Sequence, residues 1–583
     1  MNPTESLRQA HQLFQQEQYR QAEELLLALL QEHPHQTQTQ TQTQTQTQAL
    51  HLLGSVALAQ LHFDEAALVL QRALHGLAAD DAESVAVRYK LGRAFFELGR
   101  HEDAFLLFRA LIESGQQRPE IYLAAASALQ ALAPSGRNDQ HALQLIDEAR
   151  RLQPDSADIW HRKAMLEERA RQFDDARRSM AQALRLNGRR ADYWLDAGLI
   201  EHAAGIYEDA LRYFDEALIV DPELTDAHVS RGTSLARLRQ YDEAIDSYRR
   251  ALRLAPADAD AKVNLALSLL ALGQWQEALP LYEWRWEGRA ADPYRHADIP
   301  AWNGATPLRG RRILLWAEQG HGDTIQFSRY VQQMVDAGAQ VVLEVPASLH
   351  LLMRSLPVTA AIEIISTGDE RPAVDVQLPL MSLPLVCNTQ IDAIPAAPAY
   401  LQADAGRQAT WQARLDALAP RGPGRLRVGV VCSGNAGNTN DRRRSMALQR
   451  FSGLALARQD VDFFVLQPDL RDADRDWLQG QPRWHGVGEG IADFADTAAA
   501  LACMDLLVTV DTAAAHLAGA LGVPVWIALP FAPDWRWLLN RFDSPWYPSA
   551  RLFRQQQAGQ WDDTMLALRA ALAVWTPAPF KAG

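Results

Sequence analysis

RRILLWAEQGHGDTIQFSRY, residues 311–330, is the stretch from which the organisation of the chain can be read. An apolar run at 313–316 stops at a glycine-containing turn, 318–323, and a helical pattern starts at Thr324. Strand, glycine turn and helix in that order put polar side chains at the carboxyl end of a strand, where open α/β sheets hold their ligands. Upstream the sequence reads as helical repeats; downstream it alternates between strand-like and helical runs. The expected class is an all-α array followed by an α/β module.

Upstream, Gly198, Ala210, Phe214, Ala217 and Pro222 recur 34 positions later as Gly232, Ala244, Tyr248, Ala251 and Pro256, and Trp160 recurs as Trp194 at the same spacing. This frame resembles the tetratricopeptide repeat. Small residues let two helices approach, the aromatic fills the gap between them, and proline stops the second helix. Weaker matches carry the frame to Ala10, Ala22 and Pro34 at one end and to Ala266, Ala278 and Tyr282 at the other, giving eight repeats over residues 1–290. Ala10 to Gly54 is 44 positions, ten beyond the period; the surplus is the Thr-Gln alternation of residues 36–48, read as an inserted flexible loop. Stacked repeats offer a concave face to an extended segment of a partner protein. Alternatively they pair with a second copy of the chain or brace the next domain. YEWRW at 282–286 is too aromatic for a solvated end and predicts docking onto the domain that follows.

After a linker at 291–310, candidate strands at 313–316, 341–345, 362–365 and 374–378 make a first lobe, residues 311–400. Residues 401–424, rich in Ala and Pro, read as an interlobe linker. Strands at 426–431, 463–466, 506–510 and 525–529 and a final helix over 562–574 make a second lobe, residues 425–583. Two doubly wound, Rossmann-like lobes facing a cleft suit a two-part ligand such as a nucleotide joined to a second group. Three turns carry the candidate chemistry: His321-Gly322-Asp323; Ser433-Gly434-Asn435, followed by Arg442-Arg443-Arg444; and Asp511-Thr512-Ala513, leading to His516. Backbone N–H groups at 512–514 open a helix and favour a phosphate, and Arg444 offers a bidentate cation to the same group. Gln467, ending the strand at 463–466, is a further candidate for contacting a base or sugar.

The motifs EQGHGDTIQFSRY, VCSGN with DRRRS, VDTAAAHLAGALGVPVW and DWRWLLNRFDSPWYPSARLFRQ occur in that order. With the repeats, they make the chain similar to bacterial proteins that join tetratricopeptide repeats to a heptosyltransferase-like glycosyltransferase domain. Some relatives with this layout modify flagellin or other proteins. The resemblance implies a GT-B fold, with acceptor at the first lobe and nucleotide-sugar at the second. It also implies transfer of the sugar to a protein recruited by the repeats. Asp323 matches the acceptor-activating base, and Ser433, Arg444, Asp511, Thr512 and His516 match the donor-side turns. His321 stands where an apolar residue is expected and adds a second acid/base group; Asn438 stands where a basic residue or histidine is expected. The implied enzyme is inverting, with the nucleotide-sugar as substrate and no separate cofactor. The helix start at Thr512 and Arg444 would carry the leaving diphosphate charge, so no metal is called for.

Other readings of the same residues remain open at the sequence level. Asp323 and Asp511 each stand beside a helix start and serve equally well as caps. His516 either faces the donor or packs inside the lobe, and Arg442 and Arg443 read as a solvated charge run. Trp535, Trp537, Trp546 and Tyr547 either stack on a sugar or base or form a packed lobe edge. At the level of function, the alternatives are an adaptor whose α/β half is a degenerate nucleotide-binding module, and a transferase acting on lipopolysaccharide or another glycan. The net charge of −14 argues against a nucleic-acid partner. Cys387, Cys432 and Cys503 are far apart, which excludes a disulfide framework and offers no metal-ligand spacing. No secretory pattern is visible, and no apolar stretch reaches the roughly 20 residues of a spanning helix, so a cytoplasmic protein is expected.

Overall fold

The computed structural model describes residues 3–32, 40–78, 81–132, 136–288, 293–395, 399–435, 437 and 441–577. The chain forms two compact units, Met1–Ser230 and Arg231–Gly583. The division falls inside the repeat array instead of at residue 290, so the last repeats belong to the same unit as the α/β part.

Sixteen helices from Pro3–Gln15 to Trp275–Tyr282, two per repeat, account for the eight repeats among the described residues. The 34-residue frame follows from helix packing. A Cβ on Gly198 would lie 2.4 Å from the Phe214 ring, and one on Gly232 would lie 2.6 Å from Tyr248, so only glycine admits the aromatic plug of the second helix. Ala210 and Ala244, with no exposed surface, supply the small residue on the other side. The Thr-Gln alternation departs from the expected loop. Gln40–Ala59 is one helix, so Gln40 to Gln48 form its first turns, while the tract before Gln40 lies outside the described residues. Gln is a good helix former, and the buried Ala49, Leu50, Leu53 and Val56 anchor the helix from its far end.

The second unit holds two parallel sheets. In the first, β1 (Arg312–Trp316), β2 (Gln340–Val345), β3 (Glu363–Ser366) and β4 (Val376–Pro379) lie in the order β3-β2-β1-β4. In the second, β5 (Leu426–Val431), β6 (Val461–Val465), β7 (Trp484–Gly486), β8 (Leu506–Val510), β9 (Val525–Leu529) and β10 (Ala550–Arg554) lie in the order β10-β9-β8-β5-β6-β7. That is the doubly wound order in which the chain starts in the middle, runs to one edge, then returns and runs to the other. The central strands β5, β8 and β9 are buried at every position, as parallel strands covered on both faces must be. Their register sets Val430 beside Val508 and Val508 beside Trp526.

The segment expected as an interlobe linker is an integral helix, Ala405–Leu418, capped by Asp404, which accepts the Arg407 N–H at 2.8 Å. Its Trp411 and Leu415 are buried, and Arg407 pairs with Asp493 and Asp496 at 2.8 and 2.9 Å. The final helix spans Asp562–Val574. Among the described residues no helix is long and apolar enough to cross a membrane.

Candidate functional site

The second sheet reverses direction between β5 and β8, and doubly wound sheets take their ligands in the crevice outside the carboxyl ends at such a point. Ser433 and Gly434 follow β5 after Cys432, and Asp511 follows β8 directly. The N–H groups of the β5 turn are already engaged within the protein. Ser433 N–H donates to Gln467 Oε1 at 3.3 Å, which makes Gln467 a brace for the turn. Gly434 N–H donates to Asp441 Oδ1 at 3.1 Å and to Ser445 Oγ at 3.0 Å. Asp441 also takes the Ser445 hydroxyl at 2.6 Å and Arg471 at 3.1 Å. Asn435 is exposed, and Asn438 lies outside the described residues.

Arg444 is folded back over this turn: a Cβ on Gly434 would lie 2.9 Å from its guanidinium. Its Nε is 3.9 Å from Asp441 Oδ1, beyond hydrogen-bond distance, and is buried without a partner. A cavity of about 220 Å³ opens beside it, lined from the α/β side by Arg443, Arg444, Asp511, Asp534 and Trp535. The opposite wall comes from the last two repeats through Thr233, Tyr241, Asn264 and Ser268.

Two carboxyl groups face this cavity, and their surroundings separate them. Burial pushes Asp511 up to about 6; the Asp534 carboxylate acts in the same direction, and Arg444 acts against it. For Asp534, burial pulls upward but the Arg536 guanidinium, 2.8 Å away, outweighs it, so this carboxyl sits below the usual range.

The helix expected to present its start to a phosphate spans Ala513–Leu521, with Thr512 as the cap residue, so Asp511 is not the cap. Thr512 and Ala513 do not line the cavity. Gly322 of the first lobe packs on that helix instead: a Cβ there would lie 2.8 Å from His516 Cδ2 and 3.5 Å from Ala513 Cα. His516 is a core residue. Its ring stacks on Trp537 at 5.2 Å, and Nδ1 bonds the Tyr547 hydroxyl at 3.0 Å. Burial, helped by Arg536, lowers it to about 3, so it is neutral at ordinary pH. Trp535, Trp537, Trp546 and Tyr547 are buried, the packed-edge alternative for that cluster, with Trp535 alone of the four reaching the cavity wall.

Asp323 is the third residue of the helix His321–Phe327. Its Oδ2 accepts the Gly320 N–H at 3.0 Å and its Oδ1 accepts from Arg536. Arg536 also donates to Gln326 Oε1 at 2.8 Å, so one buried guanidinium from the second lobe clasps two side chains of the first. Burial lifts the Asp323 carboxyl above the usual range, and Arg536 offsets only part of that. His321 is apart from the cavity: its Nε2 bonds Ser348 Oγ at 2.9 Å, its ring stacks on Phe494 at 5.0 Å, and burial lowers its pKa.

The first sheet has its own reversal between β1 and β4, and that crevice is filled from within. Arg285, in the turn Glu283–Trp286 that ends the repeats, meets Glu318 at 2.7 and 3.0 Å and Ser382 Oγ at 2.8 Å. The Met381 N–H adds 3.1 Å to Glu318. Trp275 stacks on Trp546 at 5.3 Å, completing the docking that the aromatic end of the repeats predicted.

Arg444 and Asp511 thus meet at one cavity; Ser433, Gly434 and Gln467 do not line it and brace the β5 turn beneath Arg444. Sequence reasoning missed Asp441, Asp534, Arg536 and Asn264. Asp534 and Arg536 were legible only as neighbours of the tryptophans in DWRW, and Asn264 only as a polar position in a helix.

A tetratricopeptide repeat family model matches residues 51–119, 161–224 and 229–294. The protein FlbA of Caulobacter vibrioides is 30% identical over 319 residues, covering 50% of this chain and 51% of FlbA. Among solved structures, a tetratricopeptide repeat protein from Parabacteroides merdae is 17% identical with a TM-score of 0.37, covering 46% of this chain and 98% of its own. A thermophilic repeat protein of Thermus thermophilus is 22% identical with a TM-score of 0.27, covering 32% of this chain and 98% of its own. The chain spans about half the length of the curated relative it matches, and its N-terminal region is an all-helical array of tetratricopeptide repeats.

Proposed function

We propose that the protein is a glycosyltransferase that moves a sugar from a nucleotide-sugar to a protein acceptor held by the repeats, flagellin being the acceptor class the family resemblance suggests. The observation that carries this reading is Arg444, its Nε buried without a partner, at the reversal point of a doubly wound sheet and lining a cavity whose other wall is built by the repeats. A guanidinium nitrogen buried without an acceptor costs about 1–3 kcal/mol, more for a charged group, and a phosphate oxygen would relieve that cost. An anion seated there would have its charge stabilised as a sugar–phosphate bond breaks, without reorganisation of the protein. Repeats forming the opposite wall give a protein acceptor a route to the same point.

The cavity of about 220 Å³ is smaller than the roughly 300–1,000 Å³ usual for small-molecule sites, so a nucleotide-sugar requires the wall to open. That size, with the N–H groups of Ser433 and Gly434 already satisfied, is what favours the second reading, an adaptor whose α/β half has lost its ligand.

A thermal-shift panel of UDP-, GDP-, ADP- and CMP-sugars separates the two. One donor at about 100 times its Kd should stabilise the wild type by about 2.7 kcal/mol, and Arg444→Ala should lose that stabilisation. No stabilisation by any donor leaves the adaptor.

A further inference from the structure

Arg554, the last residue of β10, reaches back across the segment that follows the turn Trp535–Trp537. Its Nε donates to the Arg541 carbonyl at 2.9 Å and its Nη2 to the Trp537 carbonyl at 2.6 Å, while Nη1 is buried without a partner. Arg239, in the turn between the repeat helices Thr225–Arg237 and Tyr241–Leu254, donates to Asn540 Oδ1 at 2.8 Å and lies over the Phe531 ring. Three guanidiniums thus gather on one short loop. Among the described residues they meet one carboxylate, Asp543, which pairs with Arg541 at 2.7 Å and is 66% exposed. Burial and the charges of Arg239 and Arg541 push Arg554 down to about 10, as happens to a cation held among cations. The loop is also bent against preference. Arg239, Leu538 and Asn540 have φ of 62°, 51° and 52°, left-handed backbone that arginine and leucine rarely adopt, and the carbonyls held by Arg554 bracket the last two.

We infer that this loop is a second anion site, which takes the dianion of a phosphate group between Arg239, Arg541 and Arg554. Three guanidiniums against one carboxylate leave two positive charges unmatched, which suits a phosphate better than a carboxylate ligand. Guanidiniums also hold phosphate oxygens two at a time. A phosphate oxygen would give the buried Nη1 of Arg554 the acceptor that the protein does not supply. The site is distinct from that of Arg444, because none of the three arginines lines the cavity there. It bears on that cavity through its walls. Tyr241, two residues after Arg239, lines the repeat side, and Trp535, two residues before Trp537, lines the α/β side. A phosphate bridging Arg239 to Arg554 therefore fastens one side of the cavity to the other. Such a site would operate whether or not the α/β half transfers a sugar.

Titration calorimetry on the full chain, at constant ionic strength in chloride, tests this with inorganic phosphate and glycerol 3-phosphate, the free ion and a monoester. Arg444 can also take a phosphate oxygen, so the titrations are run in Arg444→Ala as well as in the wild type. One phosphate should still bind to Arg444→Ala, and acetate, with half the charge, should bind about tenfold more weakly. Adding Arg239→Gln, which keeps a donor for Asn540 but removes the charge, should weaken phosphate binding about tenfold or more. Arg554→Gln would also release the Trp537 and Arg541 carbonyls, so a gain of affinity supplies the second arm. Asp543→Asn frees Arg541 and should tighten phosphate binding about two- to fivefold, which a purely structural role for the arginines would not produce. Tighter binding of the monoester than of phosphate identifies an esterified phosphate as the occupant, and the reverse identifies the free ion. Loss of all phosphate binding in Arg444→Ala, or an affinity that Arg239→Gln leaves unchanged, overturns the second site. Neither result bears on the nucleotide-sugar panel, which reads the Arg444 cavity.

Discussion

A histidine one turn into a helix can face a ligand or the core, and the burial of His516 between Trp537 and Tyr547 fixes both its direction and its charge. Its folded pKa of about 3 lies below the 6.5 of an ordinary histidine, so between those limits the unfolded chain binds a proton that the folded one does not. Its contribution to stability is therefore lost as pH falls from about 6.5 towards about 3. Asp511 works in the opposite sense: with its folded pKa raised to about 6, the folded state holds the extra proton, and stability is gained as pH falls through that value. His516→Gln isolates the first effect, because glutamine can still meet the Tyr547 hydroxyl but cannot ionise. At pH 7 the variant should be the less stable protein, having lost the stacking on Trp537. By pH 4 the gap should narrow by about 3 kcal/mol, read from urea unfolding at each pH. A gap that stays constant would mean that His516 ionises in the fold.

At the scale of elements, two helices meet where glycine permits. Gly322 in His321–Phe327 sits against His516 in Ala513–Leu521, and the histidine ring cannot yield because Trp537 and Tyr547 hold it from behind. Gly322→Ala should therefore cost about 1–3 kcal/mol in denaturant unfolding, as overpacking does. Gly320→Ala, whose added carbon would approach only Asp323 Oδ2 at 3.3 Å, should cost less. These contacts mark where sequence reading stops. The repeat helices were legible because Gly198 and Phe214 lie on adjacent helices of one repeat, so local spacing encodes their contact. The strands 426–431, 506–510 and 525–529 were legible because central parallel strands are continuous apolar runs. Edge strands β7 and β10 were not: WHG has no run, and ARLFR alternates with arginine. The Ala405–Leu418 helix carried a readable cap at Asp404 and a Trp411–Leu415 pair, but its Ala- and Pro-rich flanks masked them. The turns at 323, 433 and 511 were placed at strand ends by pattern, whereas the clasp of Asp323 by Arg536, 213 positions away, has no local signature.

For the whole molecule, the position of the unit boundary within the repeats has an energetic cause. The segment from Arg239 onward is tied to the α/β part by groups that cannot be left bare. Trp275, 3% exposed, lies on Trp546 and against Trp535. Arg285 fills the crevice at the first sheet's reversal and pairs with Glu318, offsetting part of the burial that holds this carboxyl above its usual range. Arg239 reaches Asn540 at 2.8 Å. Cutting the chain at the point where the repeats end in sequence would strand Glu318 without its cation, at about 3–5 kcal/mol, and uncover the tryptophan face. A fragment of residues 225–583, which keeps the helix Thr225–Arg237 whole, should stay soluble and melt cooperatively. Residues 291–583 should bind a hydrophobic dye and aggregate or melt without a sharp transition, because a domain does not tolerate a large exposed apolar patch. Residues 1–224 should melt as a repeat array whose stability rests on its own nearest-neighbour interfaces. Circular dichroism melts of the three fragments decide the matter. A 291–583 fragment that melts cooperatively within a few degrees of 225–583 would show that the last repeats are appended to the α/β unit and do not build it. The cavity at Arg444 would then lose its second wall without losing its fold.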